Sequence, residues 1–183
     1  MKRGKTPARW ITTAAKIVAD CRVFLVSQQS SRNEENGRSR NWYVINTNDF
    51  VNVVAITTEN ELVLVRQFRH GSEEFSLELP GGMVDDGEEP LEAGVRELLE
   101  ETGFAGENAQ VYASCNPNPA IMNNTCHFVL IQDVVHRSEV SWDENEEMEI
   151  ELMPMDKVKE ACRRGEFMHS LTLAALMRYF VAE

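Results

Sequence analysis

The amino-acid sequence predicts a layered fold of β-sheet and helices, of the α/β or the α+β class. Three observations indicate this class. The runs Phe50–Thr57 and 61–68 are rich in β-branched residues and are joined by a short turn, which is typical of a hairpin. Apolar residues then change to helical spacing in Pro90–Thr102. Beyond this helix, strand-like and helical segments continue to interleave, as they do in layered folds.

The first part of the chain predicts strands at residues 21–27 and 41–46. Residues 28–40 contain one glycine and no apolar residue, so we expect a loop or hairpin tip there. We interpret residues 1–48 as an N-terminal strand module and residues 49–183 as the main domain.

The central helix has clear boundary signals. Pro90 suits the first helical turn, and Gly103 stands where a glycine C-cap belongs. Leu91, Val95 and Leu98 share one face, which we expect to be buried. The other predicted elements are strands at 75–79, 109–114, 127–135 and 150–153, and helices at 156–165 and 169–181.

The charge balance limits the function classes. The 183 residues carry a formal net charge of −12, which disfavours nucleic acid as a partner because its phosphates are repelled. No apolar run reaches the roughly 18 residues of a membrane span, so we expect no membrane partner. The four cysteines are widely separated, which favours reduced thiols and a cytoplasmic location.

Three glutamates of the predicted helix form a candidate metal site. Glu97, Glu100 and Glu101 have i, i+3, i+4 spacing and project from one side of the helix. Clustered carboxylates repel one another unless cations lie between them, and their hard oxygen atoms suit Mg²⁺ or Mn²⁺. A solvated acidic face has the same spacing, so periodicity alone leaves both interpretations open.

The spacing of the surrounding residues resembles the Nudix signature G-x5-E-x7-R-E-U-x-E-E-x-G-U, where U is a bulky apolar residue. Every specified position is filled, by Gly82, Glu88, Arg96, Glu97, Leu98, Glu100, Glu101, Gly103 and Phe104.

This resemblance implies an α/β/α Nudix sandwich, with a mixed sheet between helices and antiparallel N-terminal strands. It also implies an enzyme that hydrolyses a diphosphate linked to another moiety, usually with Mg²⁺. It implies that Glu97, Glu101 and then Glu100 bind the metal ion, helped by the Gly81 carbonyl. It gives structural roles in the same segment to Gly82, Glu88, Arg96 and Gly103.

Residues outside the signature are similar to the ADP-ribose and nucleoside diphosphate sugar pyrophosphatase branch of that family. Pro119, fifteen residues after Phe104, is one of them, although a Pro/Asn turn would also account for it. Strand alternation places Gln67 and Arg69 on one face. We expect Arg69 to contact the diphosphate, with a surface ion pair as the alternative.

The resemblance also implies a homodimer in which the N-terminal strands cross between subunits. Trp42, Tyr43 or Phe50 could then stack on a nucleobase, although aromatic residues in strands more often belong to a core. The branch usually takes its general base from a glutamate on a late loop. Glu146 matches that place best and Glu144 second, whereas most acids of such a run are solvated.

These expectations combine into one function: Mg²⁺-dependent hydrolysis of a nucleoside diphosphate sugar, such as ADP-ribose or GDP-mannose, to a nucleoside monophosphate and a sugar phosphate. Two alternatives stay open. One is a housecleaning hydrolase of oxidised nucleotides or RNA caps, and the other is a non-catalytic sensor of nucleotide sugars.

Overall fold

A computed structural model describes residues 6–142 and 147–182. The strands and helices have the following bounds: β1 Trp10–Asp20, β2 Leu25–Asn33, β3 Ser39–Asn46, β4 Phe50–Thr57, β5 Glu61–Arg69, β6 Glu74–Glu78, α1 Pro90–Thr102, β7 Phe104–Ala105, β8 Asn108–Cys115, β9 Cys126–His136, β10 Met148–Pro154, α2 Met155–Arg164 and α3 Ser170–Ala182.

The chain divides into two compact units. The N-terminal unit ends at Thr47 and also includes Asn118–Asn124, and the C-terminal unit consists of Asn48–Pro117 and the chain from Thr125 onward. Within the N-terminal unit, the Ile45 N–H donates to the Ile121 carbonyl at 2.7 Å, which ties the second segment to β3.

The N-terminal unit is built on a three-stranded antiparallel sheet in the order β1-β2-β3. Residues 28–33 belong to β2 and residues 39–40 to β3, so the predicted loop over 28–40 is wrong except for its tip. This polar segment forms a strand because β2 lies between two partners, and backbone hydrogen bonds on both edges satisfy it without an apolar face.

The C-terminal unit has a mixed sheet with the path β10-β5-β4-β9-β7, on which β6 also pairs with β5 and β8 with β9. Strands β4 and β9 are parallel, and the other paired strands are antiparallel. The predicted mixed sheet and its hairpin 50–68 are therefore confirmed.

Alternate residues of β4 face opposite layers of helices. Val54 packs in a buried cluster with α2 and α3 residues such as Val158 and Leu176. Val53 packs in a second cluster with Leu98 of α1. Since successive strand residues point to opposite faces, the sheet lies between α1 on one side and α2 and α3 on the other.

Helix α1 begins at Pro90 and ends before a left-handed residue, as the sequence predicts. Gly103 has φ +71°, and its N–H donates to the Leu99 carbonyl at 2.9 Å. A Cβ on Gly103 would lie 2.1 Å from the Ser138 carbonyl oxygen. Glycine is therefore required here both by conformation and by space.

In the part of the chain that the structure describes, every helix is too short or too polar to cross a lipid bilayer.

We expect Gly103→Ala to destabilise the protein more than Gly165→Ala. Both positions have a left-handed φ, +71° and +75°, so both substitutions cost about 1–2 kcal/mol in backbone strain. Only Gly103 has a backbone atom in the way, which adds about 1–3 kcal/mol of overpacking, whereas Gly165 has no atom within 4 Å. Urea unfolding of both variants measures the difference, and equal losses would contradict it.

Candidate active site

Three of the four glutamates of α1, Glu97, Glu100 and Glu101, lie beside the chain segment that leads into the helix. Glu101 is only 4% exposed, and its Oε2 accepts the Gly81 N–H at 2.9 Å. Glu97 and Glu100 are one helical turn or less away, and both bind the same arginine, Arg96. Helical spacing thus gathers all three carboxylates at one end of α1.

Arg96 organises this region through all of its guanidinium nitrogens. Nε and Nη2 donate to Oε1 and Oε2 of Glu88, each at 2.9 Å. Nη1 donates to Glu97 at 2.9 Å and to Glu100 at 3.1 Å, and Nη2 also reaches the Met83 carbonyl at 3.1 Å. The hydrogen bonds from Arg96 lower the pKa of Glu88, and the Glu88 carboxylate raises the pKa of Arg96.

Two glycines bring the backbone close to these side chains. A Cβ on Gly81 would lie 2.0 Å from the Val51 carbonyl oxygen, and a Cβ on Gly82 would lie 2.4 Å from Glu97 Oε1. The Gly82 carbonyl accepts the Val51 N–H at 2.9 Å, so it faces β4. Alternation along the chain then directs the Gly81 carbonyl to the other side.

The carboxyl end of α1 is closed by the segment that follows β9. Ser141 N–H donates to the Glu100 carbonyl at 2.8 Å. The Trp142 indole N–H donates to the Glu101 carbonyl at 2.9 Å. These bonds satisfy carbonyls that a helix end otherwise leaves unpaired, and they hold the backbone of two of the glutamates.

The donor atoms of this site suit a hard divalent cation, because they are carboxylate and carbonyl oxygens. Within residues 6–142 and 147–182, however, no three His, Cys, Asp or Glu side chains are grouped closely enough to hold a metal ion. The carboxylates of Glu97 and Glu100 contact Arg96, and that of Glu101 contacts the Gly81 amide. These carboxylates are therefore engaged by the protein, but their oxygen atoms are of the type that a divalent metal ion binds, and Glu97, Glu100, Glu101 and the Gly81 carbonyl could hold one.

A second network surrounds a buried carboxylate at the end of β6. Glu78 is 1% exposed, and both its oxygens pair with Arg69, Oε1 with Nε at 2.9 Å and Oε2 with Nη2 at 2.7 Å. His169 Nδ1 lies 3.0 Å from Oε2. Burial opposes ionisation, but the hydrogen bonds from Arg69 and His169 outweigh it and lower the pKa of Glu78 to about 2. Its stabilising contribution is complete above the ordinary pKa and is lost as the pH falls through the native value.

The other predicted site residues of the C-terminal unit are placed as follows. Gln67 is half-buried in β5, in register with Ser76 and Met148. Phe50, at the start of β4, is half-buried and packs against the core. Glu144 and Glu146 lie outside the described residues.

The remaining candidates belong to the N-terminal unit. Trp42 is 38% exposed, its ring is met edge-on by Trp10 at 5.7 Å, and the Arg40 guanidinium lies 4.6 Å from its centroid. Pro119 is exposed in a turn of the segment 118–124.

Sequence reasoning missed several residues of these networks. Glu78 carried one signal, because it is a charged residue between Leu77 and Leu79 in a short apolar strand. Trp142 and His169 carried none, since their partners are distant in sequence and only the folded chain brings them together.

Comparisons with known proteins show what the chain is similar to. The NUDIX domain model matches residues 48–171. The ADP-sugar pyrophosphatase of Mus musculus is 28% identical over 137 residues, covering 69% of this chain and 62% of the mouse protein. The ADP-ribose pyrophosphatase of Bacillus subtilis is 29% identical over 116 residues, or 63% of each chain. A crystal structure described as an ADP compounds hydrolase superposes with a TM-score of 0.84 at 25% identity, covering 96% of this chain and 95% of that one.

We expect Gly82→Ala to weaken divalent metal binding while leaving the fold intact. The added methyl group would displace the Glu97 carboxylate, which is the flexible end of a side chain and can move at little cost in stability. Loss of one ligand position should weaken Mn²⁺ binding about tenfold or more. Calorimetric titration with Mn²⁺ measures this effect, and Gly71→Ala, which meets no atom within 4 Å, is the matched control. Equal Mn²⁺ affinities for the two variants would contradict the prediction.

Proposed function

Because the chain belongs to the Nudix family, whose signature it carries in full, we propose that it hydrolyses the diphosphate bond of nucleoside diphosphate sugars. ADP-ribose, GDP-mannose or a similar compound is the substrate, and a nucleoside monophosphate and a sugar phosphate are the products. The chain is a Nudix hydrolase, and relatives named ADP-sugar and ADP-ribose pyrophosphatase support the substrate class. The observation that carries the proposal is the convergence of three glutamates on Arg96 and the Gly81-Gly82 backbone.

The metal in this proposal is Mg²⁺, with Mn²⁺ as a substitute. Glu97 and Glu101, then Glu100 and the Gly81 carbonyl, would hold it. When bound, such a cation neutralises phosphate charge and lowers the pKa of a water molecule. Without the cation, the positive charge of Arg96 reduces the repulsion between the carboxylates of Glu97 and Glu100.

The proton acceptor for the attacking water is Glu146, with Glu144 as the second candidate. Ser141 and Trp142 support this choice, because they bind the end of α1 and so begin the acidic segment beside the glutamate helix. One carboxylate is sufficient as a general base where a metal ion already acidifies the water.

The substrate contacts divide by chemistry. Arg69, whose side chain is 45% exposed, and Gln67 on the same face of β5 bind the diphosphate. In the C-terminal unit, Phe50 is the candidate for a contact with the nucleoside part. In the N-terminal unit the candidates are Trp42 and Pro119, and the partly exposed Trp42 ring supports stacking on a base.

A homodimer that uses the N-terminal sheet belongs to the same proposal. Every residue of β1 is exposed, and its apolar side chains include Trp10, Ile11, Ile17 and Val18. A long edge strand with an uncovered apolar surface is typical of a strand that meets a partner chain. A cytoplasmic location is consistent with Cys21, Cys115, Cys126 and Cys162, which are all free thiols.

The wild-type protein should release nucleoside monophosphate from at least one of ADP-ribose, GDP-mannose, ADP-glucose and UDP-glucose in the presence of Mg²⁺. EDTA should abolish the reaction. Glu97→Gln and Glu101→Gln should each lower kcat about a hundredfold or more, because each removes a metal ligand. Product analysis by chromatography measures these rates.

Glu92→Gln is the matched control, since Glu92 is an exposed glutamate in the first turn of the same helix, more than one turn before Glu97 and Glu101. Glu146→Gln and Glu144→Gln compare the two candidate bases in the same assay. If the protein hydrolyses only oxidised nucleotides or RNA caps, it is a housecleaning hydrolase. Binding without any turnover would identify a sensor.

We expect the wild-type protein to sediment as a dimer and Ile17→Lys to sediment as a monomer. Ile17 is 55% exposed on β1, and a lysine there would place a charge in the apolar contact. Val181→Lys, at a 77% exposed position of α3, should stay dimeric. A monomeric wild-type protein in analytical ultracentrifugation would overturn the proposed dimer.

A further inference from the structure

Among the residues that the structure describes, Glu78 and Glu101 are the buried charged side chains, and the proposed chemistry gives a role only to Glu101. Glu78 is the last residue of β6 and comes three residues before Gly81. Its side chain is 1% exposed, although an isolated ionised carboxylate is costly to bury. The partners that compensate this cost reveal what the carboxylate does.

One partner is Arg69, which Glu78 binds through two parallel hydrogen bonds. The contacts use Nε and Nη2, at 2.9 and 2.7 Å. This bidentate geometry fixes the plane of the guanidinium as well as its position. Arg69 is nevertheless 45% exposed, so a group that is rigidly held on one edge still presents surface to solvent.

The other partners come from the start of α3. His169 Nδ1 lies 3.0 Å from Glu78 Oε2 and 3.1 Å from Thr172 Oγ1. An ionised carboxylate only accepts hydrogen bonds, so Nδ1 carries the proton and donates. Thr172 Oγ1 in turn accepts the Leu79 N–H at 3.2 Å. His169 thus holds the Glu78 carboxylate directly, and Thr172 holds the backbone of the residue that follows it.

We propose that Glu78 is a positioning residue for diphosphate recognition: it orients the Arg69 guanidinium, and His169 and Thr172 hold Glu78 in the orientation that this requires. The inference rests on the proposed function, since it assigns Arg69 a diphosphate ligand. A side chain that is already ordered loses less conformational entropy when it binds phosphate, so the network increases affinity without touching the substrate.

A double-mutant cycle over Glu78 and Arg69 tests this inference. Glu78→Gln keeps the shape of the side chain but removes its charge. It should lower kcat/KM for the diphosphate sugar about ten- to a hundredfold, mainly through KM. Because Glu78 acts through Arg69, Glu78→Gln combined with Arg69→Gln should be no worse than Arg69→Gln alone. Additive losses, or no loss in Glu78→Gln, would overturn the proposal.

Glu151→Gln is the control for removing any carboxylate that pairs with an arginine of β5. Glu151 of β10 pairs with Arg66, which lies in β5 like Arg69. The Glu151 side chain is 31% exposed and that of Arg66 is 37% exposed. This variant should keep the wild-type kcat/KM. A loss equal to that of Glu78→Gln would indicate a general structural effect and would contradict positioning.

The histidine provides a second test that does not require a change at the buried position. His169→Leu removes the donor to Glu78 and should raise KM about three- to tenfold. His169→Asn places an amide N–H near the position of Nδ1 and should restore most of the affinity. If Glu78→Gln fails to fold, the comparison of His169→Leu with His169→Asn tests the proposal instead. Equal KM values for these two variants would overturn it.

Calorimetric binding of ADP-ribose in EDTA separates the inference from the proposed function. If the wild-type protein binds but turns over no diphosphate sugar, the function fails, and non-additive losses of affinity in the cycle still support positioning. If it hydrolyses a diphosphate sugar while the losses of affinity in the Glu78 and Arg69 variants are additive, only the inference fails. If it neither binds nor turns over ADP-ribose or the other diphosphate sugars, both are overturned.

Discussion

The guanidinium of Arg96 is the interaction on which the rest of the site depends. Three glutamates and a backbone carbonyl converge on it, and without its charge their carboxylates would repel one another. The same contacts join the loop residue Glu88 to helix α1. The proposed cation site would thus be prepared by ion pairs inside the protein. In the proposed function, a cation bound there would allow an acidic chain to bind an anionic substrate.

Arg69 and Glu78 repeat this logic at a second place in the C-terminal unit. In both networks a bidentate arginine–carboxylate pair joins neighbouring segments of the chain, nine residues apart for Arg69–Glu78 and eight for Arg96–Glu88, and in both the carboxylate is the better shielded partner. The difference lies in exposure. Arg96 directs its charge inward to glutamates, whereas Arg69 is 45% exposed and can meet a ligand. The two pairs lie on either side of the Gly81-Gly82 segment in the sequence, so the backbone between them is constrained from both ends.

The regular elements of the C-terminal unit could be predicted because their signals are local. Phe50–Thr57 has the composition of a buried strand, and Pro90 and Gly103 mark helix ends through their own backbone preferences. The N-terminal strands show the limit of such signals. Residues 28–33 look like a loop because they are polar, and they form a strand only because β1 and β3 complete their hydrogen bonds on both sides.

The sequence by itself determined the family and the glutamates of the candidate metal site, since helical periodicity and fixed spacing place Glu97, Glu100 and Glu101 on one face. Only the tertiary structure decided which charges meet across the fold. Glu78 pairs with Arg69, nine positions before it. Trp142 binds Glu101 across 41 positions, and His169 pairs with Glu78 across 91. Pairing of this kind depends on how strands and helices pack, and it cannot be predicted from the order of residue types along the chain.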